Sequence, residues 1–202
     1  MDITHEVYGE EIWAQYQGDD SYEIIEHDDG FFDLLHGSHT NFADYDEWPE
    51  FKKQAIEYAR GNILDITQGA GSSSIYLQNQ GFKVTAVQPS LLANKVCKER
   101  GLKNSHALPV DMIDKLGPEK FDTIILFGHH LGVFNTTYQA KKLFRYLYEL
   151  SNPGAIILAE NDYCLFSNDL DKSETAAVNH WPHDIPTQVR IRIRFKHFIS
   201  EW

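Results

Sequence analysis

From residue 62 onward, short apolar runs alternate with amphipathic segments along the chain. Asn62–Ile66 predicts a strand, Ser72–Gln80 a helix and Lys83–Val87 a second strand. Leu91–Arg100 predicts a helix that Gly101 ends, and a short strand follows near His106. "FDTIILFG" and "GAIILAEN" are near-continuous apolar runs, the pattern of parallel strands covered on both faces. Between them, Thr137–Leu150 places Leu143, Tyr146, Leu147 and Leu150 on one side of a helix. Strand and helix in alternation predict an α/β fold with a doubly wound, mostly parallel sheet.

The two ends follow other periods. Residues 4–17 repeat apolar positions at helical spacing, with Thr4 as a cap. Residues 18–47 are mixed and turn-rich, and "EWPEFKKQAIEYARG" predicts a helix from near Pro49 to Gly61. In "QVRIRIRFKHF", Val189, Ile191, Ile193 and Phe195 alternate with Arg190, Arg192, Arg194 and Lys196. Period two marks an antiparallel strand with one wet face. The expected organisation is a single domain over residues 1–202. It has an N-terminal helical and irregular cap over 1–47, a core over 48–160 and a C-terminal extension over 161–202 that carries the antiparallel strand.

Charge sharpens this picture. The net charge is −12, yet residues 1–50 hold 15 of the 30 acids and no Lys or Arg, while the remainder carries a balance of +3. An acidic first segment repels phosphate backbones and anionic lipid, so neither nucleic acid nor membrane is expected as a partner. It is either a solvated surface or a lid over a cationic or neutral substrate, and the Arg-faced strand is its natural electrostatic complement. No apolar run approaches the ~18 residues of a membrane helix. Cys97 and Cys164 form no pair motif, and the N-terminus has no signal-like apolar core, so a cytoplasmic protein is expected.

The candidate chemistry centres on "DITQGAGSS", which joins the first core strand to its helix. Glycines in such a turn let the backbone approach a ligand, and the next helix aims its first N–H groups at it. The segment resembles the D-x-G-x-G-x-G-type turn of the class I S-adenosylmethionine-dependent methyltransferases. Asp65, Gly69 and Gly71 match that pattern; Thr67 stands at its first glycine. Further matches follow in order. "VTAVQPS" places Gln88 where the family has a ribose-binding acid. "LPVDMIDKL" offers Asp111 for the adenine amino group and Met112 for its ring. "KFDTIILFG" and "LSNPGAIILAE" resemble the fourth and fifth strands. The resemblance covers roughly residues 48–160 and implies a Rossmann-like fold, S-adenosylmethionine as cofactor and methyl transfer to a small molecule. It also implies cofactor contacts at Asp65, Thr67, Gly69, Gly71, Gln88, Asp111, Met112 and Gly128. The family's final helix and strands have no counterpart in these 202 residues, which leaves the fifth strand as an edge. A homodimer contact, a partner chain or the Arg-faced strand is expected to cover it.

Within this frame, His129 and His130 in "FGHHLG" stand at a strand end as candidate catalytic bases. "HDDGFFD" is the candidate substrate lid: Asp28 and Asp29 to hold an amine, Phe31 and Phe32 to close over it. The plain alternative is a turn at Gly30 with two core aromatics. His36 with His39, and His180 with His183, have two-ligand spacing but no third ligand, so no metal is expected. The departures at Thr67 and Gln88 keep a second reading open: a catalytically degenerate methyltransferase-like protein that acts as a binding or interaction module.

Overall fold

The computed structural model describes residues 3–19, 22–27, 30, 32–36, 39–66, 69–128, 137–160 and 191–200. Helix α1 (Ile3–Tyr16) leads into strands β1 (Tyr22–His27) and β2 (Phe32–His36), a short α2 (His39–Phe42) and a 3-10 turn at Tyr45–Glu47. Next come α3 (Glu50–Ile56), β3 (Asn62–Asp65), α4 (Ser72–Asn79), β4 (Lys83–Gln88), α5 (Leu91–Glu99) and β5 (Ser105–Ala107). A 3-10 segment at Val110–Leu116, β6 (Phe121–Leu126), α6 (Thr137–Leu150) and β7 (Ser151–Ala159) complete the core. Strands β8 (Ile191–Phe195) and β9 (Phe198–Ile199) follow.

Strands β5–β4–β3–β6–β7, in that order, form one parallel sheet. Its apolar runs are explained by the two cores it separates. Leu64, Ile124 and Leu126 face α6, where Leu143 and Leu147 meet them. Their neighbours Ile63 and Ile125 face the other way, onto Trp48, Ile56 and Leu77. A strand buried on both faces has no place for polar alternation. The expected doubly wound α/β core is therefore present.

The second sheet has the order β2–β1–β8–β9, all antiparallel. The Arg-rich strand is β8, and it pairs with β1 from the acidic segment: Ile25 opposes Ile193 and Glu26 opposes Arg192. Opposite charge accompanies the pairing. Glu26 accepts from Arg192 and forms an ion pair with Arg194, and Lys196 pairs with Asp19. Of the alternatives raised for the fifth-strand edge, the Arg-faced strand is thus removed: it joins the second sheet, and among the described residues β7 is at the edge of the first. The segment expected to be irregular, 18–47, contains the β1–β2 hairpin. The helix expected to run to Gly61 ends at Ile56.

Helix α1 packs on α5 on one side and on β8 on the other, so it ties the second sheet to the core. Val7 and Ile12 are buried there. Among the described residues, no helix is long and apolar enough to cross a membrane.

Candidate functional site

Strand β3 ends at Asp65, and the chain turns through Gly69 and Gly71 into α4. Both glycines have positive φ, +49° and +87°. A Cβ on Gly69 would also fall 2.4 Å from Asn41 Oδ1 and 3.2 Å from the Tyr8 hydroxyl. Glycine is required here twice over, by backbone conformation and by the close approach of the cap. The Tyr8 hydroxyl donates to Asn41 Oδ1 at 2.9 Å. Burial, and then the nearby Glu11 charge, raise the Tyr8 pKa well above the usual phenol value, so Tyr8 is a donor and not a base.

Asp65 is buried and accepts a 2.6 Å hydrogen bond from the Ser74 hydroxyl in the first turn of α4. This bond fixes the helix against the strand that feeds the turn. Arg100 binds the turn from α5: its Nη1 donates to the Ala70 carbonyl at 2.6 Å. The Ser72 hydroxyl donates to the Asn41 carbonyl at 2.6 Å. The Cys97 thiol lies 3.4 Å from the Gly69 carbonyl, and burial pushes its pKa up to about 12. It is therefore an inert wall of the turn.

Gln88, at the end of β4, is buried. Its Nε2 donates to the Gly69 carbonyl at 3.3 Å, and its Oε1 accepts from the Ser90 N–H at 3.4 Å. The structure thus brings Gln88 to the glycine turn, as its sequence position predicts. Both bonds are long, and one amide proton and one acceptor site remain. Glu6 of α1 closes the same corner: its carboxylate accepts from the Leu91 N–H at 2.9 Å and from the Ser90 hydroxyl at 3.2 Å. A carboxylate at the start of α5 suits the positive end of that helix.

Asp111 and Met112 lie in the 3-10 segment after β5, beside the Gln88 end of β4; the Leu108 N–H donates to the Gln88 carbonyl. Met112 is 39% exposed, and Lys115 Nζ lies 3.3 Å from its sulfur. Gly128 follows β6 with φ +77°, and its N–H donates to Glu160 Oε2 at 3.1 Å. Phe32 is 64% exposed. Its register partner is Glu26, so it lies on the sheet face opposite Glu23 and Phe195, both of which are buried. Thr67, Asp28, Asp29, Phe31, His129 and His130 lie outside the described residues, as do His180 and His183. Among the described residues, no three His, Cys, Asp or Glu side chains are grouped to hold a metal ion.

Sequence reasoning missed Tyr8, Asn41, Arg100, Ser74 and Glu160. Their roles depend on contacts between distant segments; only Ser74, in the first turn after the glycines, had a local signal.

The comparisons agree with this architecture. No protein-family model matches the sequence. The chain is similar to the protein named "Putative methyltransferase YqeM" of Bacillus subtilis (strain 168), with 26% identity over 122 residues, 57% of this chain and 48% of that protein. A protein of the same description from Geobacillus sp. (strain WCH70) is 26% identical over 127 residues, 58% of this chain and 51% of its own length. The chain thus spans about half the length of the curated relatives it matches. Among solved structures, a SAM-dependent methyltransferase from Bacteroides fragilis, crystallised with S-adenosyl-L-homocysteine, superposes with a TM-score of 0.79 at 21% identity. That match covers 100% of this chain and 80% of the other. The resemblance read from the glycine turn is therefore met in sequence and in structure: the chain has the fold of the class I S-adenosylmethionine-dependent methyltransferases.

Proposed function

We propose that this chain binds S-adenosylmethionine at the carboxyl ends of β3 and β4 and transfers its methyl group to a small molecule. The observation that carries the reading is the turn after Asp65, where Gly69 and Gly71 hold positive φ at the head of α4 and Gln88 reaches the Gly69 carbonyl. In open α/β sheets, ligands lie beyond such strand ends. Bound there, the cofactor supplies an electrophilic methyl group on a sulfonium. The work of the chain is then positioning and exclusion of water.

The residues present fit such a group. Gly69 and Gly71 offer backbone with no side chain of their own, and Thr67 is proposed as a further cofactor contact. Gln88 retains a proton and an acceptor site for a ribose hydroxyl. Met112 is exposed and is proposed to meet the adenine ring, and its chain neighbour Asp111 is proposed for the amino group. Gly128 directly precedes His129 and His130 in sequence, the proposed bases for the acceptor proton. Asp28, Asp29, Phe31 and Phe32 are the proposed lid. We place the whole in one domain, in the cytoplasm, with small-molecule acceptors and a homodimer as the working assembly.

A second reading is favoured by a specific observation. Both polar atoms of Gln88 already have backbone partners, and Tyr8 with Asn41 closes on Gly69. A turn sealed in this way suits a degenerate member that serves as an interaction module. Titration with S-adenosylmethionine and S-adenosylhomocysteine separates the two. A ligand at 100 times its dissociation constant adds about 2.7 kcal/mol of stability. A saturable rise in Tm, followed by turnover of methyl-labelled cofactor, supports the enzyme. No rise with well-folded protein leaves the interaction module.

A further inference from the structure

Lys52 of α3 is half-buried at the carboxyl ends of β6 and β7. Its Nζ lies 4.1 Å from the centroid of the Trp48 ring and 5.8 Å from that of Phe127. Among the described residues, the ammonium makes no hydrogen bond and no ion pair. Its neighbours behave differently. Lys53 Nζ donates to the Asp46 carbonyl at 2.8 Å, and Arg60 Nη2 donates to the Gly154 carbonyl at 2.6 Å.

An ammonium carries three donors and no acceptor. Two aromatic faces attract its charge but satisfy none of its donors in the way an oxygen does. Burial depresses the Lys52 pKa, while the Asp65 and Glu160 charges oppose that effect. The group is therefore a partly desolvated cation, beside ring faces and within the field of two carboxylates. Its surroundings are those of the proposed site. Phe127 precedes Gly128, Glu160 takes the Gly128 N–H, and Asp65 ends β3. A carboxylate that is itself part of a bound ligand would provide the missing acceptors, in a place where charge-assisted bonds are about twice as strong as neutral ones.

We propose that Lys52 is a carboxylate-binding residue, whose ammonium, lying against Trp48 and Phe127, donates to the carboxylate of a ligand bound at the strand ends. The inference rests on the proposed placement of the site. Two ligands can carry that group: the cofactor, through its amino-acid end, or the methyl acceptor.

Calorimetry with S-adenosylhomocysteine and its decarboxylated analogue tests the first source, on wild type, Lys52→Met and Lys52→Arg. The cofactor source predicts that wild type prefers the carboxylate form by about 10-fold, the size of one charge-assisted bond. Lys52→Met then binds both alike, while Lys52→Arg keeps part of the preference. The acceptor source predicts equal behaviour of wild type and Lys52→Met in that assay. It also predicts that the Lys52 side-chain NMR signal moves saturably when propionate is added to the S-adenosylhomocysteine complex. A preference untouched by Lys52→Met, with a Lys52 signal indifferent to propionate, overturns the proposal. If S-adenosylhomocysteine does not bind wild type at all, the proposed cofactor fails. The propionate titration of the free protein then decides Lys52 alone: a saturable shift upholds it and no shift overturns it.

Discussion

Glu11 of α1 and Glu23 of β1 share one buried carboxyl contact, with both side chains almost wholly removed from solvent. Burial first, and the charge of Glu23 second, push the Glu11 carboxyl up to about 8; burial raises Glu23 as well. Two carboxylates in contact cannot both ionise cheaply in a dry site. The Gln15 amide, 2.8 Å from Glu11 Oε1, helps hold the pair.

This pair sets a pH dependence. The folded state keeps a proton that the unfolded chain releases near pH 4.5. The stability this pair contributes is thus full below about pH 4.5 and is lost as pH rises through about 8. We expect wild-type Tm to fall between pH 5 and 9, and Glu11→Gln to flatten that decline and raise Tm at the alkaline end. For a chain of this size each kcal/mol moves Tm by about 2–4 °C. A Glu11→Gln curve parallel to wild type would mean that the pair is not protonated.

Removing the Ser74 hydroxyl deprives buried Asp65 of its 2.6 Å donor. Ser74→Ala should cost about 1–3 kcal/mol in denaturant unfolding. Ser74→Thr, which keeps the hydroxyl, should cost less. Equal losses for the two would point to packing rather than the bond.

Gly69→Ala meets both the left-handed backbone and Asn41 Oδ1. The backbone term alone is about 1–2 kcal/mol. Since the steric term belongs to the pair, Gly69→Ala with Asn41→Ala should lose less than the sum of the single changes. Strict additivity would show that the cap does not rest on the turn.

The pairing of β1 with β8 is testable by charge. Glu26→Arg sets three cations side by side with Arg192 and Arg194 and should lower Tm, most at low salt. Changing both arginines to glutamate in the Glu26→Arg background should restore it. Failure of that reversal would place the two strands in another register.

The core was legible in the sequence because its signals are local. Ile63 with Leu64, and Ile124 with Ile125, need apolar neighbours on both sides, and that writes an unbroken run. The glycine turn was legible for the same reason: strand, turn and helix are consecutive. The β1–β2 hairpin was not. "YEIIEH" mixes charges into its apolar positions because Glu23 is buried against α1 while Glu26 meets arginines more than 160 residues away. Nor could composition reveal that Glu11 is buried. An acid at that position of an amphipathic helix reads as surface until the opposing strand is known. Lys52 was hidden likewise, since Trp48 is near it in sequence but Phe127 arrives from the far end of β6.

The second sheet also bears on how the protein is made. Strands β3 to β7 can assemble as soon as residue 159 is available, whereas β1 must wait for β8 to close its open side. During synthesis the β1–β2 hairpin is therefore half-paired from its own emergence until β8 follows, with Phe195 still untranslated and the inner face bare. Long sequence separation makes such closure slow. The α1 segment, which that sheet presses toward the glycine turn, would reach its final seat only after β8 and β9 have left the ribosome. A nascent chain halted after β7 should thus already hold its parallel core and still lack a finished mouth.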